Sequence, residues 1–266
     1  MGRRTKLAVA LTALTTMVAT LGGVASAQSE EPAVVTVFHA VPAEDGFPAD
    51  VYLHGDLVID GFIFETSSES FELPPGNATL EIYAEGADPD QETPAVTTTV
   101  SFEPGRNYSV VAQLAEGSPV ITLYVNDTSG VGAGEARVTL RQTSDIDSID
   151  ATIGEAEFVG LAPTEEASAV VTPGELPLTL RNQAGATFFT HDVDVASGVL
   201  TILYAVGDSV DGTFDLLVQE IPISQVAPAG VPTGNGGDKA SAPDPLVGLT
   251  LMGIVGVALL GHRRLT

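Results

Sequence analysis

Short segments of alternating or apolar residues dominate the chain between its two ends. In the run from Thr79 to Tyr83, Leu80 and Ile82 fall on one face of an extended chain, and the polar residues fall on the other. Segments rich in Val, Ile, Thr, Tyr and Phe are Ala33–His39, Ala49–Leu53, Asn77–Ala84, Ala95–Phe102, Tyr108–Leu114 and Val120–Val125. Turn residues such as Pro74-Pro75-Gly76 separate them. This pattern predicts an all-β chain of many short strands, typical of a β-sandwich.

The strand pattern occurs twice along the chain. Val35-Thr36-Val37 is echoed by Val138-Thr139-Leu140, and the run Ala49–Tyr52 is echoed by Ile149–Thr152. The two occurrences are about 100 residues apart, and such a long period indicates tandem duplication of a domain. The predicted parts are copy one at residues 28–127, a linker at 128–134 and copy two at 135–226. We predict two tandem immunoglobulin-like or transthyretin-like antiparallel β-sandwich domains.

The amino terminus has the composition of a targeting segment. Arg3, Arg4 and Lys6 precede an uncharged, largely apolar run, and Ala25-Ser26-Ala27 supplies the small residues of a cleavage site. Residues 1–27 are therefore predicted to be a signal peptide that is removed on export. The arginine pair leaves open the choice between ordinary secretion and the twin-arginine pathway.

A second apolar run, Pro245–Gly261, contains no charged residue and is followed by His262-Arg263-Arg264. A helix of this length would reach about 25 Å, enough for a thin bilayer. We predict a transmembrane anchor at 245–261, a flexible stalk rich in Pro, Gly and Ala at 227–244, and a basic tail at 262–266. The arginines favour a cytoplasmic tail, which places the β-domains outside the cell surface. Attachment to a cell wall stays open, because Val231–Gly234 lacks the leucine and the spacer of a sorting motif.

Charge is segregated between the ends and the middle of the chain. All 35 acidic residues lie between Gln28 and Asp244, with five basic residues, which gives this part a net charge of −30. Such a surface repels polyanions, so nucleic acid is excluded as a partner. The chain has no cysteine, which excludes thiol chemistry and disulfides.

Clusters of acidic residues are candidate calcium sites. Asp145, Asp147 and Asp150 crowd one predicted loop, and their hard oxygen ligands suit calcium. Two further clusters are Asp88, Asp90 and Glu92, and Asp208, Asp211 and Asp215. None has the glycine and closing glutamate of a calcium-binding loop, and solvated loops are the alternative interpretation. We predict no required cofactor and keep calcium as the candidate ion.

Two histidines are candidate metal ligands in copy one. His39 and His54 lie on or beside adjacent predicted strands and could meet Asp45 or Asp50. The alternative is that His39 is a structural residue at the edge of the core.

The block Gly207–Val210 resembles the nucleophile block of GDSL-type esterases, but it lies between two predicted strands and no Asp-x-x-His follows. We interpret this block as a hairpin turn and predict no catalytic residue.

Copy one resembles a known family. Val35–Pro42 followed by Ala49–Gly55 is similar to the start of the DUF4397 family, with its "HAxP" and "VDVYxxG" motifs. Leu73–Gly76 and Pro104–Tyr108 resemble the family's later turns. Copy two is a degenerate relative that lacks the His-Ala pair and the tyrosine. The resemblance implies a secreted or cell-surface bacterial or archaeal β-sandwich, and it brings no catalytic residues.

The sequence favours a non-enzymatic surface-displayed protein that binds an extracellular or envelope partner or contributes to the envelope. Two alternatives stay open: an extracellular carbohydrate-active hydrolase with paired carboxylates, and a domain that responds to calcium or ionic strength. An aromatic content of 6% with no tryptophan disfavours the hydrolase, because sugar-binding clefts favour tryptophan platforms.

Overall fold

The computed structural model describes residues 30–42, 48–207 and 212–226, and every regular element in these residues is a β-strand. The strands of copy one are β1 Ala33–His39, β2 Ala49–Leu53, β3 Asp56–Phe62, β4 Thr66–Ser67, β5 Phe71–Leu73, β6 Gly76–Ala84, β7 Val96–Phe102, β8 Asn107–Ala115 and β9 Ser118–Asn126. After β10 Val131–Gly132, copy two contains β11 Ala136–Gln142, β12 Ile149–Ile153, β13 Ala156–Leu161, β14 Glu166–Val171, β15 Gly174–Asn182, β16 Thr187–Val195, β17 Val199–Val206 and β18 Asp215–Pro222, before a final β19 Gln225–Val226.

Each copy is a sandwich of two sheets with the same strand order. In copy one an outer sheet, β3-β2-β6-β7, faces an inner sheet in which β1, β8 and β9 follow one another and β4 and β5 both pair with β1. In copy two the outer sheet is β13-β12-β15-β16 and the inner sheet is β14-β11-β17-β18. The all-β prediction is confirmed, and the matching strand orders agree with a duplicated domain.

The predicted antiparallel pairing is wrong for one pair of strands in each copy. β1 pairs with β8 in parallel, and β11 pairs with β17 in parallel. Parallel neighbours need a long crossover connection, which the chain makes through the opposite sheet of the same copy. Alternating side chains look the same in both directions, so the sequence pattern could not distinguish the two pairings.

The two copies pack directly against each other through their inner sheets. One apolar core lies between the sheets of copy one, and another lies between the sheets of copy two. A third core joins the copies and consists of Phe38, Ala40, Val111, Tyr124, Val131, Leu200, Ile202, Tyr204, Val206 and Ile223. The four sheets therefore form one stack, with each inner sheet covered on both faces.

The predicted linker at 128–134 is anchored at its centre by Val131, while the residues at both of its ends are exposed. Val131 is only 4% exposed and lies in the core between the copies. Its strand, β10, pairs in parallel with β19 at the end of copy two. The Arg137 guanidinium donates hydrogen bonds to the carbonyl oxygens of Asp127 (2.6 Å) and Ser129 (2.8 Å). The position of the boundary between the domains stays a prediction.

The predicted signal peptide, stalk, anchor at 245–261 and basic tail lie outside the described residues. Within the described part of the chain, no helix is long and apolar enough to cross a membrane.

Candidate functional site

The acidic residues proposed for calcium are not grouped around one point. Asp145 and Asp147 are exposed, and Asp150 is half-buried with its Oδ1 accepting a hydrogen bond from the amide of Gly160 (2.8 Å). Among residues 30–42, 48–207 and 212–226, no three His, Asp or Glu side chains form a group that could hold a metal ion. The calcium hypothesis stays untested for these residues, and the structure gives Asp150 a structural role.

The second acidic cluster, Asp88, Asp90 and Glu92, lies in the exposed loop between β6 and β7. The Oδ1 of Asp88 accepts a hydrogen bond from the amide of Asp90 (3.0 Å), a local contact that shapes the exposed loop after β6. Of the third cluster, Asp208 and Asp211 lie outside the described residues, as does most of the Gly207–Val210 block. Val206 at the end of β17 pairs with Asp215 at the start of β18. The block therefore lies in the connection between two antiparallel strands, as the hairpin interpretation requires.

The two candidate histidines have different surroundings. His39 is 4% exposed on β1, and its ring makes an edge contact with Phe62 at a centroid distance of 5.7 Å. His54 is exposed in the turn between β2 and β3, where its φ of 53° fits a left-handed turn position. A cavity of about 40 Å³ beside His39 is lined almost entirely by apolar side chains. A cavity of this size and polarity suits no ligand larger than a few atoms.

The aspartate of the "VDVY" motif anchors a β-bulge that occurs in both copies. On β3 the pairing register shifts opposite Asp50, and the Asp50 carboxylate accepts hydrogen bonds from the amides of Gly61 (2.9 Å) and Gly86 (2.8 Å). On β13 the register shifts in the same way opposite Asp150, which accepts from Gly160. Gly61 and Gly160, the glycines of the two bulges, have φ of 60° and 70°, a conformation that L side chains rarely adopt. This motif residue is therefore structural.

Replacing Asp50 with alanine should destabilise the fold more than replacing Asp150. Asp50 is 3% exposed and satisfies two backbone amides, whereas Asp150 is half-buried and satisfies one. We expect a loss of about 3 kcal/mol of unfolding free energy for Asp50→Ala and about 1 kcal/mol for Asp150→Ala, measured by urea unfolding followed by circular dichroism. Equal losses in the two variants would contradict this role for Asp50.

The motif tyrosine of copy one also has a structural role. Tyr108 is 2% exposed, and its hydroxyl accepts a hydrogen bond from the amide of Glu103 (2.8 Å) across the turn that precedes β8. This is the arrangement of the tyrosine corner found in Greek-key sandwiches. The equivalent position in copy two is Thr201, which explains why that copy lacks the motif without losing the fold.

A buried arginine is the centre of the interface between the copies. Arg141 of copy two is 1% exposed, and its Nη2 donates to the Oδ1 of Asn126 in copy one (2.7 Å). Its Nη1 donates to the Tyr204 hydroxyl (2.8 Å), and its Nε donates to the Glu166 carboxylate (2.8 Å). The guanidinium lies 4.4 Å from the centre of the Tyr124 ring of copy one, within cation–π distance. Each of the three guanidinium nitrogens therefore donates to a partner, and one aromatic ring lies within cation–π distance.

The same interface keeps two tyrosines neutral over a wide pH range. Burial raises the pKa of Tyr204 to about 12, although the neighbouring Arg141 opposes the shift. Burial also raises the pKa of Tyr124, with Arg141 again acting in the opposite direction. The Tyr204 hydroxyl donates a hydrogen bond to Ser109 of copy one (2.7 Å), and the Tyr204 ring stacks on Phe38 at 4.2 Å.

An aromatic pair, half-buried Tyr52 and buried Tyr83 (5% exposed), lies on the face of the outer sheet of copy one that points away from the core. The Tyr52 and Tyr83 rings meet edge to face at a centroid distance of 5.2 Å. Leu57 and Glu81 are the cross-strand neighbours of Tyr52 on β3 and β6. We call these four residues the Tyr52 surface. Burial, followed by the nearby Glu81 carboxylate, raises the pKa of Tyr83. Sequence reasoning missed this surface, although the alternation around Leu80 and Ile82 already placed Glu81 and Tyr83 on one face.

The fold and its motif residues define a tandem β-sandwich protein. Residues 33–152 match the family model described as "Domain of unknown function (DUF4397)", which confirms the resemblance seen in the sequence. The match includes the strands of copy one from β1 to β9 and extends into β12 of copy two. No curated protein matches the chain.

Two solved structures are similar to the chain at low identity. One, described as a "putative cell adhesion protein" from Bacteroides ovatus ATCC 8483, is 11% identical, with 75% of this chain and 99% of that chain covered and a TM-score of 0.24. The other has the same description, comes from Bacteroides uniformis ATCC 8492 and is 13% identical, with coverages of 73% and 99% and a TM-score of 0.23. TM-scores this low give no basis for transferring a function.

Proposed function

We propose that this protein is a non-enzymatic, cell-surface-displayed protein that binds an extracellular or envelope partner. The observation that supports this most directly is the packed interface between the copies. Because the inner sheets share an apolar core and the Arg141 hydrogen bonds, the two sandwiches act as one rigid body. A rigid body above a predicted stalk and anchor suits the presentation of a binding face away from the membrane.

The distribution of charge supports the same proposal. Two of the five basic residues of the exported part, Arg137 and Arg141, are buried between the copies at 9% and 1% exposure. Both guanidinium groups bind partners in the interior of the protein, while most carboxylates remain at the surface. The outer surface is therefore more acidic than composition alone suggests, which keeps the protein soluble and steers it towards cationic partners.

Protease treatment of intact cells tests this proposed function. The full-length chain should lose its β-domains when the cells are treated, while a cytoplasmic marker protein stays intact. A variant truncated after Val226, without the predicted stalk and anchor, should appear in the medium with Gln28 as its first residue. Recovery of the full-length chain from the cytosol with Met1 retained would overturn the proposal.

A further inference from the structure

The Tyr52 surface faces solvent because of the strand alternation around it. Val51 and Leu53 pack into the core of copy one, so Tyr52 lies on the opposite face of the outer sheet. Leu57, its neighbour on β3, is 48% exposed, and Tyr52 and Glu81 are half-buried. Exposed Leu57, the half-buried Tyr52 ring and the half-buried Glu81 carboxylate form a small amphipathic surface, while Tyr83, at 5% exposure, is buried and supports Tyr52 by its edge contact.

Copy two has no such surface at the equivalent positions. The cross-strand neighbours of Thr152 are Glu157 on β13 and Thr179 on β15, in the positions of Leu57 and Glu81. Arg181 occupies the position of Tyr83, because it pairs with Asp150 as Tyr83 pairs with Asp50. The same fold is therefore stable without the aromatic pair, and the fold alone does not require it.

The chain itself shows which side chain fits a tyrosine pair beside a glutamate. Arg141 lies 4.4 Å from the ring centre of Tyr124 and 5.3 Å from that of Tyr204, with its Nε 2.8 Å from the Glu166 carboxylate. A planar guanidinium combines stacking on an aromatic ring with hydrogen bonds to a carboxylate, which lysine cannot do equally well. The Tyr52 surface offers the same two groups, Tyr52 and Glu81, to an external partner.

We propose that the Tyr52 surface binds an arginine side chain on an exposed basic segment of a partner protein. Charge complementarity favours this occupant, because the exported part of the chain has a net charge of −30. Among the described residues, Arg106 and Arg181 are the arginines that are not buried, and Arg106 pairs with Glu103. This inference rests on the proposed function and names the chemistry of its partner.

Titration with a defined peptide tests the proposal. The probe is a synthetic hexapeptide of alternating Arg and Gly, compared with the same peptide carrying neutral citrulline in place of each arginine. Binding to the full-length chain in detergent at physiological salt is measured by fluorescence anisotropy. We expect the arginine peptide to bind and the citrulline peptide to bind at least tenfold more weakly, since each arginine loses its charge.

Variants distinguish this surface from the general acidity of the protein. Tyr52→Thr and Glu81→Gln should each weaken binding of the arginine peptide about three- to fivefold. Glu157→Gln removes the same charge from the neighbour of Thr152 in copy two, at the position of Leu57, and should leave binding unchanged. Melting curves show whether each variant is folded. If Tyr52→Thr fails to fold, Glu81→Gln still tests the surface, because it keeps the size of the side chain.

Two results would overturn the proposal. Equal weakening by Glu81→Gln and Glu157→Gln would mean that the peptide binds the overall charge. Binding of a neutral oligosaccharide that depends on Tyr52, with no binding of the arginine peptide, would mean that the surface takes a sugar. Either result in a protein that is still displayed on intact cells leaves the proposed function standing, so the two failures can be distinguished.

Discussion

Arg141→Ala is expected to lower the free energy of unfolding by about 3 kcal/mol. The substitution removes the Arg141 donor from the Asn126 carbonyl and the Tyr204 hydroxyl, and it removes the cation from the Tyr124 ring. The ion pair itself is the smaller contribution, because the Glu166 side chain is 38% exposed and remains solvated without Arg141. Urea unfolding monitored by circular dichroism measures the loss.

A surface arginine provides the matched control for Arg141. Arg106 pairs with Glu103 at 3.3 Å, but both side chains are more than half exposed, at 59% and 67%. Arg106→Ala removes the same charge and should cost less than about 0.5 kcal/mol. If Glu166→Gln costs as much as Arg141→Ala, the ion pair dominates and the buried hydrogen bonds do not explain the stability.

Each copy produced alone is expected to be unstable or to self-associate. Separation would expose Phe38, Val111 and Tyr124 of copy one to water, all of which are less than 5% exposed in the intact chain. The full-length chain should unfold in a single transition, and residues 128–134 should resist protease until that transition. Size-exclusion chromatography of residues 28–127 and of residues 135–226 checks the first expectation.

The opposite outcome has an equally clear signature. Two separate unfolding transitions in the full-length chain, together with monomeric folded halves, would show that the copies are independent domains. Rapid cleavage between Thr128 and Gly134 under native conditions would show that the segment opens despite the burial of Val131. Either result would favour a linker between independent domains at 128–134, as the sequence predicts.

Strands with a clear apolar pattern were predictable from the sequence, and the edge strand β3 was not. The predicted segments Ala33–His39 and Ala49–Leu53 coincide with β1 and β2, and the other four segments agree within two residues at each end. No segment was predicted for β3, whose residues Asp56–Asp60 are mostly exposed and show no clear alternation. An edge strand is defined by its backbone partners, which a pattern of side chains does not record.

The composition of β17 is a sequence signal for the interface between the copies. β17 is apolar almost throughout and is buried over nearly its whole length, which is typical of strands covered on both faces. Alternation would have left one face polar in a sandwich that stands alone. The partners of Arg141 were not predictable, because Asn126, Glu166 and Tyr204 meet only after both copies have folded and packed.

The candidate site was also predictable only in part. The sequence identified Asp50 and Asp150 as possible ligands from their chemistry alone. Their roles as bulge anchors depend on the amides of Gly61, Gly86 and Gly160, which belong to other strands and loops. The calcium hypothesis counted carboxylates that are near in sequence, whereas a metal site requires that they converge in space.

The tyrosines of the interface give the protein a built-in optical signal. The chain has five tyrosines and no tryptophan, so its near-ultraviolet absorption comes mainly from phenol groups, and two of the five lie between the copies. In the folded chain the pKa of Tyr204 is raised to about 12. A freely solvated phenol ionises near pH 10, so the folded state loses stability as the pH rises from about 10 to about 12. The part of the phenolate absorbance change that Tyr124 and Tyr204 contribute therefore reports whether the two copies are still in contact.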